Sequence, residues 1–180
     1  MGLLKELPQR LHHHAYAVKD QEANRRFIED ILGIPLVATW CERTYRPEVG
    51  REVDYCHTFY EVADGGALAF FQFADPADQA EFNPAMPFTP FHHIALQVDT
   101  ETQDAIEARI AKAGIEPPAT FVLEHGYCRS LYVTDPNGLI LEFTRDHPDA
   151  EKISRDRRAD AHRSLQRWLA GDHTSNNTYR

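Results

Sequence analysis

The feature that most constrains this chain is an internal repeat. The segment RLHHHAYAVKD (residues 10–20) lies over PFHHIALQVDT (residues 90–100) at an offset of 80, setting His13 on His93, Ala15 on Ala95 and Val18 on Val98. A second segment, YCHTFYEVADGG (55–66), lies over YCRSLYVTDPNG (127–138) at an offset of 72, setting Tyr55 on Tyr127, Cys56 on Cys128, Tyr60 on Tyr132 and Gly66 on Gly138. Two matches in the same order mean two copies of one supersecondary unit, neither of which buries its apolar face alone. The change of offset places a longer loop, about residues 43–54, in the first copy.

Each copy reads with the same grammar. Residues 13–18 and 93–98 alternate as strands do. Helices follow over Asp20–Leu32 and Glu101–Ala113, closed by Gly33 and Gly114 as expected of helix C-termini. In the second, Ile106, Ile110 and Ala113 form a core-facing stripe. Three strands come next, over 35–41, 55–62 and 67–73, then over 117–123, 127–133 and 139–145, with DGG and PNG as turns. The chain is therefore predicted to be α+β. Two tandem βαβββ modules (10–75 and 90–146) form a curved, partly closed mixed sheet with a central metal cleft. Residues 147–180 form a tail with a helix over Ala159–Leu169, whose Ala161, Leu165, Trp168 and Leu169 share a face.

Composition narrows the partners. A formal net charge of −9 argues against nucleic acid and anionic membrane. No apolar run approaches the roughly 20 residues that span a bilayer, and the N-terminus is too polar for a signal peptide. Cys41, Cys56 and Cys128 are odd in number and lack CxxC spacing, which fits reduced thiols and a cytoplasmic protein.

His13 and His93 stand at matched strand positions, so both are expected to face a shared cleft. Glu142 lies in the apolar strand GLILEF, where a carboxylate is costly to bury unless paired or bound to a cation. Two imidazoles and one carboxylate, with open positions left over, suit non-haem Fe(II) and its oxygen chemistry. His12, His14 and His92 are expected to alternate away from the cleft.

HHAYAVKD with the helix ending ILG, HHIALQVD and YVTDPNGLILEF together resemble the vicinal-oxygen-chelate superfamily, over about residues 10–146. That superfamily includes glyoxalase I, methylmalonyl-CoA epimerase, fosfomycin-resistance proteins and type I extradiol dioxygenases. The resemblance implies a divalent metal, Fe(II) first and Mn, Zn, Ni or Co otherwise, held by His13, His93 and Glu142. It also implies a small-molecule substrate, O₂ if the chemistry is a dioxygenase's, and a cleft formed within one chain or across a homodimer. Glyoxalases and epimerases add a fourth ligand on the last strand of the first module. The repeat puts Phe70 there, with Gln72 as a weak substitute.

Three protein ligands resemble the extradiol arrangement. Those enzymes carry a tyrosine ten residues before the metal glutamate, as Tyr132 stands before Glu142. The resemblance implies that its hydroxyl binds a substrate oxygen, although Tyr60 at the matched place equally suggests a core residue. His125 in LEHGY stands near their second-sphere histidine. Their acid–base histidine falls on Gly65 and Gly66, leaving His57 as the substitute. Phe59, Phe70 and Tyr127 are candidates to line an aromatic pocket. The expected function is an Fe(II)-dependent ring-cleaving dioxygenase acting on a catecholic substrate, with Tyr132, His125 and His57 as catalytic groups. The alternatives are a lyase or isomerase stabilising an enediolate, and a non-catalytic binder.

Overall fold

The computed structural model describes residues 6, 8–85, 89 and 91–179. The first module runs β1 (His13–Ala17), α1 (Gln21–Arg25), a π-helical segment (Arg26–Leu32), β2 (Leu36–Arg46), β3 (Arg51–Glu61) and β4 (Ala67–Phe73). Asp20 starts the helix by accepting hydrogen bonds from the backbone N–H groups of Glu22 and Ala23. Gly33 ends it at φ 84°, a left-handed conformation that glycine adopts without steric cost. A short helix, α2 (Pro76–Phe82), follows. The second module runs β5 (His93–Gln97), α3 (Thr100–Lys112), β6 (Thr120–Glu124), β7 (Cys128–Thr134) and β8 (Ile140–Asp146), then α4 (Ala150–Leu169).

Each module is a four-stranded sheet, in the orders β1-β4-β3-β2 and β5-β8-β7-β6. In each, the first strand runs parallel to the last and the other pairs are antiparallel. The α+β class and the two βαβββ modules are thus as expected. The chain divides into two compact units: the first module with Asp135–Leu139, and the second module with α4. No helix among the described residues is long and apolar enough to cross a membrane.

Two expectations need correction, and one helix adds to them. The loop at 43–54 is a hairpin that continues β2 and β3 out to the pair Arg46 and Arg51. A bidentate ion pair holds it, with Arg43 donating to both Asp54 oxygens at 2.7 Å, and Val53 is buried beneath. The tail helix starts at Ala150, carried in its first turns by ion pairs one turn apart such as Lys152 with Asp156 at 3.2 Å, which an apolar pattern does not reveal. α2 was not expected, although Asp75 as cap and Pro76 in the first turn mark its start.

The ladders also correct the repeat. Ala15 pairs with Ala69 as Ala95 pairs with Glu142, so Glu142 matches Ala69 and not Phe70. Tyr132 pairs with Glu142 as Phe59 pairs with Ala69, so Tyr132 matches Phe59 and not Tyr60. A slip of one residue moves every side chain to the other face of a strand. Phe70 and Tyr60 accordingly lie in the core between sheet and helix, fully buried.

With the register set right, a shared device appears behind both sheets. Gln21 donates through Nε2 to the Phe70 carbonyl at 2.9 Å and accepts from Thr58 Oγ1 at 3.0 Å. Gln103 donates through Nε2 to the Phe143 carbonyl at 2.7 Å and to the Arg129 carbonyl at 3.0 Å, and accepts from Arg129 Nη1 at 2.7 Å. Phe70 and Phe143 are equivalent, so each helix is tied to its last strand at one place, next to the residue that faces the open side. Gln103→Leu leaves buried partners unmatched, at a cost of about 1–3 kcal/mol in unfolding free energy. Urea denaturation checks this through a lowered midpoint at constant slope, and an unchanged midpoint would show that the tie is dispensable.

Candidate active site

Strand alternation puts His93, Ala95 and Gln97 of β5 on the same face as Glu142, Thr144 and Asp146 of β8 and as Cys128, Ser130 and Tyr132 of β7. All of these except the fully buried Ser130 line, together with Phe121, Leu123, His125 and Tyr127, a cleft of about 730 Å³. At its floor, His93 Nε2 lies 2.9 Å from Glu142 Oε2. Glu142 is 6 % exposed, and its other oxygen accepts from Thr144 Oγ1 at 2.7 Å. Ser130 and Thr144 hydroxyls are 3.1 Å apart. Burial pushes the Glu142 carboxyl upward. Hydrogen bonds from Ser130, Thr144 and Tyr132, with the His93 charge, outweigh burial and hold it below the usual carboxylate range.

Tyr132 stands beside this pair. Its ring stacks on Phe121 at 4.8 Å and meets His93 edge-on at 5.8 Å. Its hydroxyl lies 3.2 Å from His125 Nε2, and the His125 ring stacks on Tyr127 at 5.7 Å. Burial and then the Glu142 charge push the Tyr132 hydroxyl up to about 12, so it remains a proton donor in hydrogen bonds at any ordinary pH. The structure thus brings together four of the residues expected from the sequence: His93, Glu142, Tyr132 and His125.

The first module presents its own histidines. His13 is exposed on β1, with its Nδ1 2.7 Å from that of His12, which therefore contacts it instead of turning away. The His57 ring on β3 lies 6.0 Å from that of His13 and stacks on Phe71 at 3.6 Å. Its Nε2 is buried without a hydrogen-bond partner. Burial and the nearby His13 hold His57 below its ordinary pKa, hence neutral. His14 points to the opposite face against Phe70, as alternation requires, and burial with the His13 charge lowers it to about 4.

Comparison with known proteins bears on this arrangement. The model of the Glyoxalase/Bleomycin resistance protein/Dioxygenase superfamily matches residues 10–143. The chain belongs to this superfamily. Solved structures agree. The fosfomycin resistance protein FosX from Listeria monocytogenes is 18% identical, with a TM-score of 0.53, covering 80% of this chain and 98% of its own. The oxidase ChaP-H2 is 25% identical, with a TM-score of 0.50, covering 78% and 96%. A glyoxalase/dioxygenase from Nostoc punctiforme is 22% identical, with a TM-score of 0.50, covering 81% and 99%. Another structure of the Listeria protein contains Mn(II). The search of curated protein sequences returned no match.

Within the superfamily frame, the corrected register decides two points. The position on β4 equivalent to Glu142 is Ala69, which has no donor. Gln72 lies on the helix side, where its Oε1 accepts from the Gln21 backbone N–H at 2.8 Å, so it is no substitute ligand. Gly66 cannot give way to a histidine, because a Cβ there would lie 2.8 Å from the Leu11 carbonyl oxygen and 2.9 Å from Asp64 Oδ1. Among the described residues, no group of three or more His, Cys, Asp or Glu side chains gathers as a metal site. His93 and Glu142 form a pair in the second unit, and His13 sits with His57 in the first. The supporting hydroxyls Ser130 and Thr144 were missed in the sequence. Their signal was period two: each stands two residues from Tyr132 or Glu142.

Proposed function

We propose that this chain is an Fe(II)-dependent dioxygenase of the ring-cleaving, extradiol type, acting on a catecholic or related aromatic substrate. The observation that carries the reading is the Tyr132–His125 pair beside His93 and Glu142 in one cleft with aromatic walls. The likeness to an oxidase at 25% identity supports the same class.

The donor set suits a divalent cation. Glu142 is buried yet kept ionised, and it already holds an imidazole at 2.9 Å. His13 is the third ligand in this reading, supplied by the same chain or by a second copy in a homodimer. With Ala69 in place of a fourth donor, the set leaves open positions, the pattern of non-haem Fe(II) sites. A metal held by these residues would supply Lewis acidity toward a diol and redox chemistry with O₂.

The rest belongs to the chain's own residues. Phe121, Leu123 and Tyr127 exclude water and accept an aromatic ring. Tyr132 donates its hydroxyl hydrogen to a substrate oxygen, and His125 Nε2 holds that hydroxyl in direction. His57, with its buried Nε2 unpartnered, is assigned as the base that would take a proton from a substrate hydroxyl.

The test is oxygen uptake by protein reconstituted anaerobically with Fe(II), against a panel of catechols, with His13→Ala as control. Uptake with a ring-opened product, lost by at least about 100-fold in the variant, is the expected result. Iron-loaded protein that consumes no oxygen across the panel would overturn the dioxygenase reading and move the assignment to the lyase or isomerase class.

A further inference from the structure

One polar face of α4 is partly covered. Leu165, Trp168 and Leu169 are exposed, while Arg157, Asp160, Ser164 and Arg167 are partly shielded. Spacings of three and four put these four on one helix face. What covers them is the end of the chain. After Gly171, at φ 90°, the backbone doubles back along the helix. Arg167 Nη2 donates to the Thr174 carbonyl at 2.6 Å. Arg157 Nη1 donates to the Asn176 carbonyl at 3.1 Å. Asn176 Nδ2 donates to Ser164 Oγ at 3.1 Å, and Ser164 Oγ donates to Asp160 at 2.5 Å.

This path delivers Asn177 to the turn between β6 and β7. Its Nδ2 donates to the His125 carbonyl at 3.2 Å, and its Oδ1 accepts from the Tyr179 backbone N–H at 3.1 Å. Backbone hydrogen bonds also hold the turn: His125 N–H to the Cys128 carbonyl at 2.9 Å, and His147 N–H to the Tyr127 carbonyl at 3.0 Å. Asn177 alone among these partners takes the carbonyl of His125. That hydrogen bond restrains the peptide that follows His125, the residue whose Nε2 lies 3.2 Å from the Tyr132 hydroxyl.

We propose that the C-terminal strap, residues 171–179, positions His125 for the reaction, with Asn177 as the residue that locks it. The proposal rests on the reading that His125 and Tyr132 act together on the substrate. The superfamily match covers residues 10–143, so the strap lies outside the matched segment. Asn177 touches no reacting atom in this account. It acts through the backbone of His125.

The test compares wild type, Asn177→Ala, Asn177→Asp and, as a strap control, Thr178→Ala. Amide hydrogen exchange and the imidazole ¹⁵N shifts of His125 are read on the metal-free full-length protein. Loss of one hydrogen bond predicts exchange of the Gly126–Cys128 amides about five- to tenfold faster, with the amides of β7 and β8 unchanged and the His125 ring shifts altered. In turnover, kcat falls about tenfold while KM stays within about twofold, since orientation and not binding is lost. Thr178→Ala matches wild type throughout. Unchanged exchange and ring shifts in both Asn177 variants would overturn the proposal, as would acceleration spread equally over β7 and β8. Because the exchange and shifts are read without metal or substrate, a wild type that consumes no oxygen would sink the dioxygenase reading and leave this comparison standing.

Discussion

Glu142→Gln is expected to weaken metal binding by more than about 100-fold, beyond the loss typical of an outer-sphere partner, while the fold survives. Gln keeps the length and volume of the side chain and can still accept from Thr144 Oγ1, which now lies 2.7 Å from Oε1. It loses the negative charge that offsets a buried cation. It also presents an amide N–H₂ toward His93 or Tyr132, where a carboxylate oxygen stood. Anaerobic titration with Fe(II), or with Co(II) followed by its visible absorption, measures the affinity. Near-UV circular dichroism checks the fold. Stoichiometric binding retained by the variant would remove Glu142 from the ligand set.

The same substitution has a consequence without metal. The Glu142 carboxyl lies below its ordinary 4.5 in the folded chain, because hydrogen bonds outweigh burial. Its contribution to stability is therefore present above the unfolded value and is lost as pH falls through the folded one. Metal-free Glu142→Gln should lack that part of the acid destabilisation. Urea midpoints at pH 6 and pH 3 would fall less steeply in the variant than in wild type.

Much of this was legible in the sequence, and the reasons differ by residue. His13 and His93 stand out because the repeat preserves them at matched strand positions, and the parallel ladders put them opposite Ala67 and Ile140 in the same way. Glu142 stands out because a carboxylate in an apolar strand needs a partner or a cation. The recurring Tyr-Cys pair of the two copies sets the later strands one residue out of step with their structural equivalence. Cross-strand pairing, which a linear sequence does not display, set it right: the residue opposite Glu142 is Tyr132, and the residue opposite Ala69 is Phe59. The slip had exchanged a face that opens to the cleft for one that packs on a helix. It made Tyr60 look like the counterpart of Tyr132 when Tyr60 is a fully buried core residue. The strap was illegible for another reason. Its contacts run from backbone carbonyls to Arg157 and Arg167, and carbonyls leave no mark on composition.

The corrected register raises what is expected of Tyr132. Tyr132→Phe should lower kcat by about 10²–10³, the usual cost of losing one preorganised donor to a developing charge, with KM changed little. Phe retains the stack on Phe121 and the edge contact with His93, now at 4.8 and 5.8 Å, so the cleft keeps its shape. Only the hydroxyl is lost, and that hydroxyl is held protonated by burial and by Glu142. His125→Ala tests the pairing. If His125 acts by directing the Tyr132 hydroxyl across their 3.2 Å contact, the double variant should lose little more than Tyr132→Phe alone, because groups that work as a unit are not additive. Effects that multiply would mean that His125 reaches the substrate independently. A Tyr132→Phe enzyme with undiminished kcat would mean that the hydroxyl serves only to fill the hydrogen-bonding needs of its neighbours. The extradiol reading would then lose its donor to the substrate oxygen, and the cleft would fit better a chemistry that needs only the metal and a base.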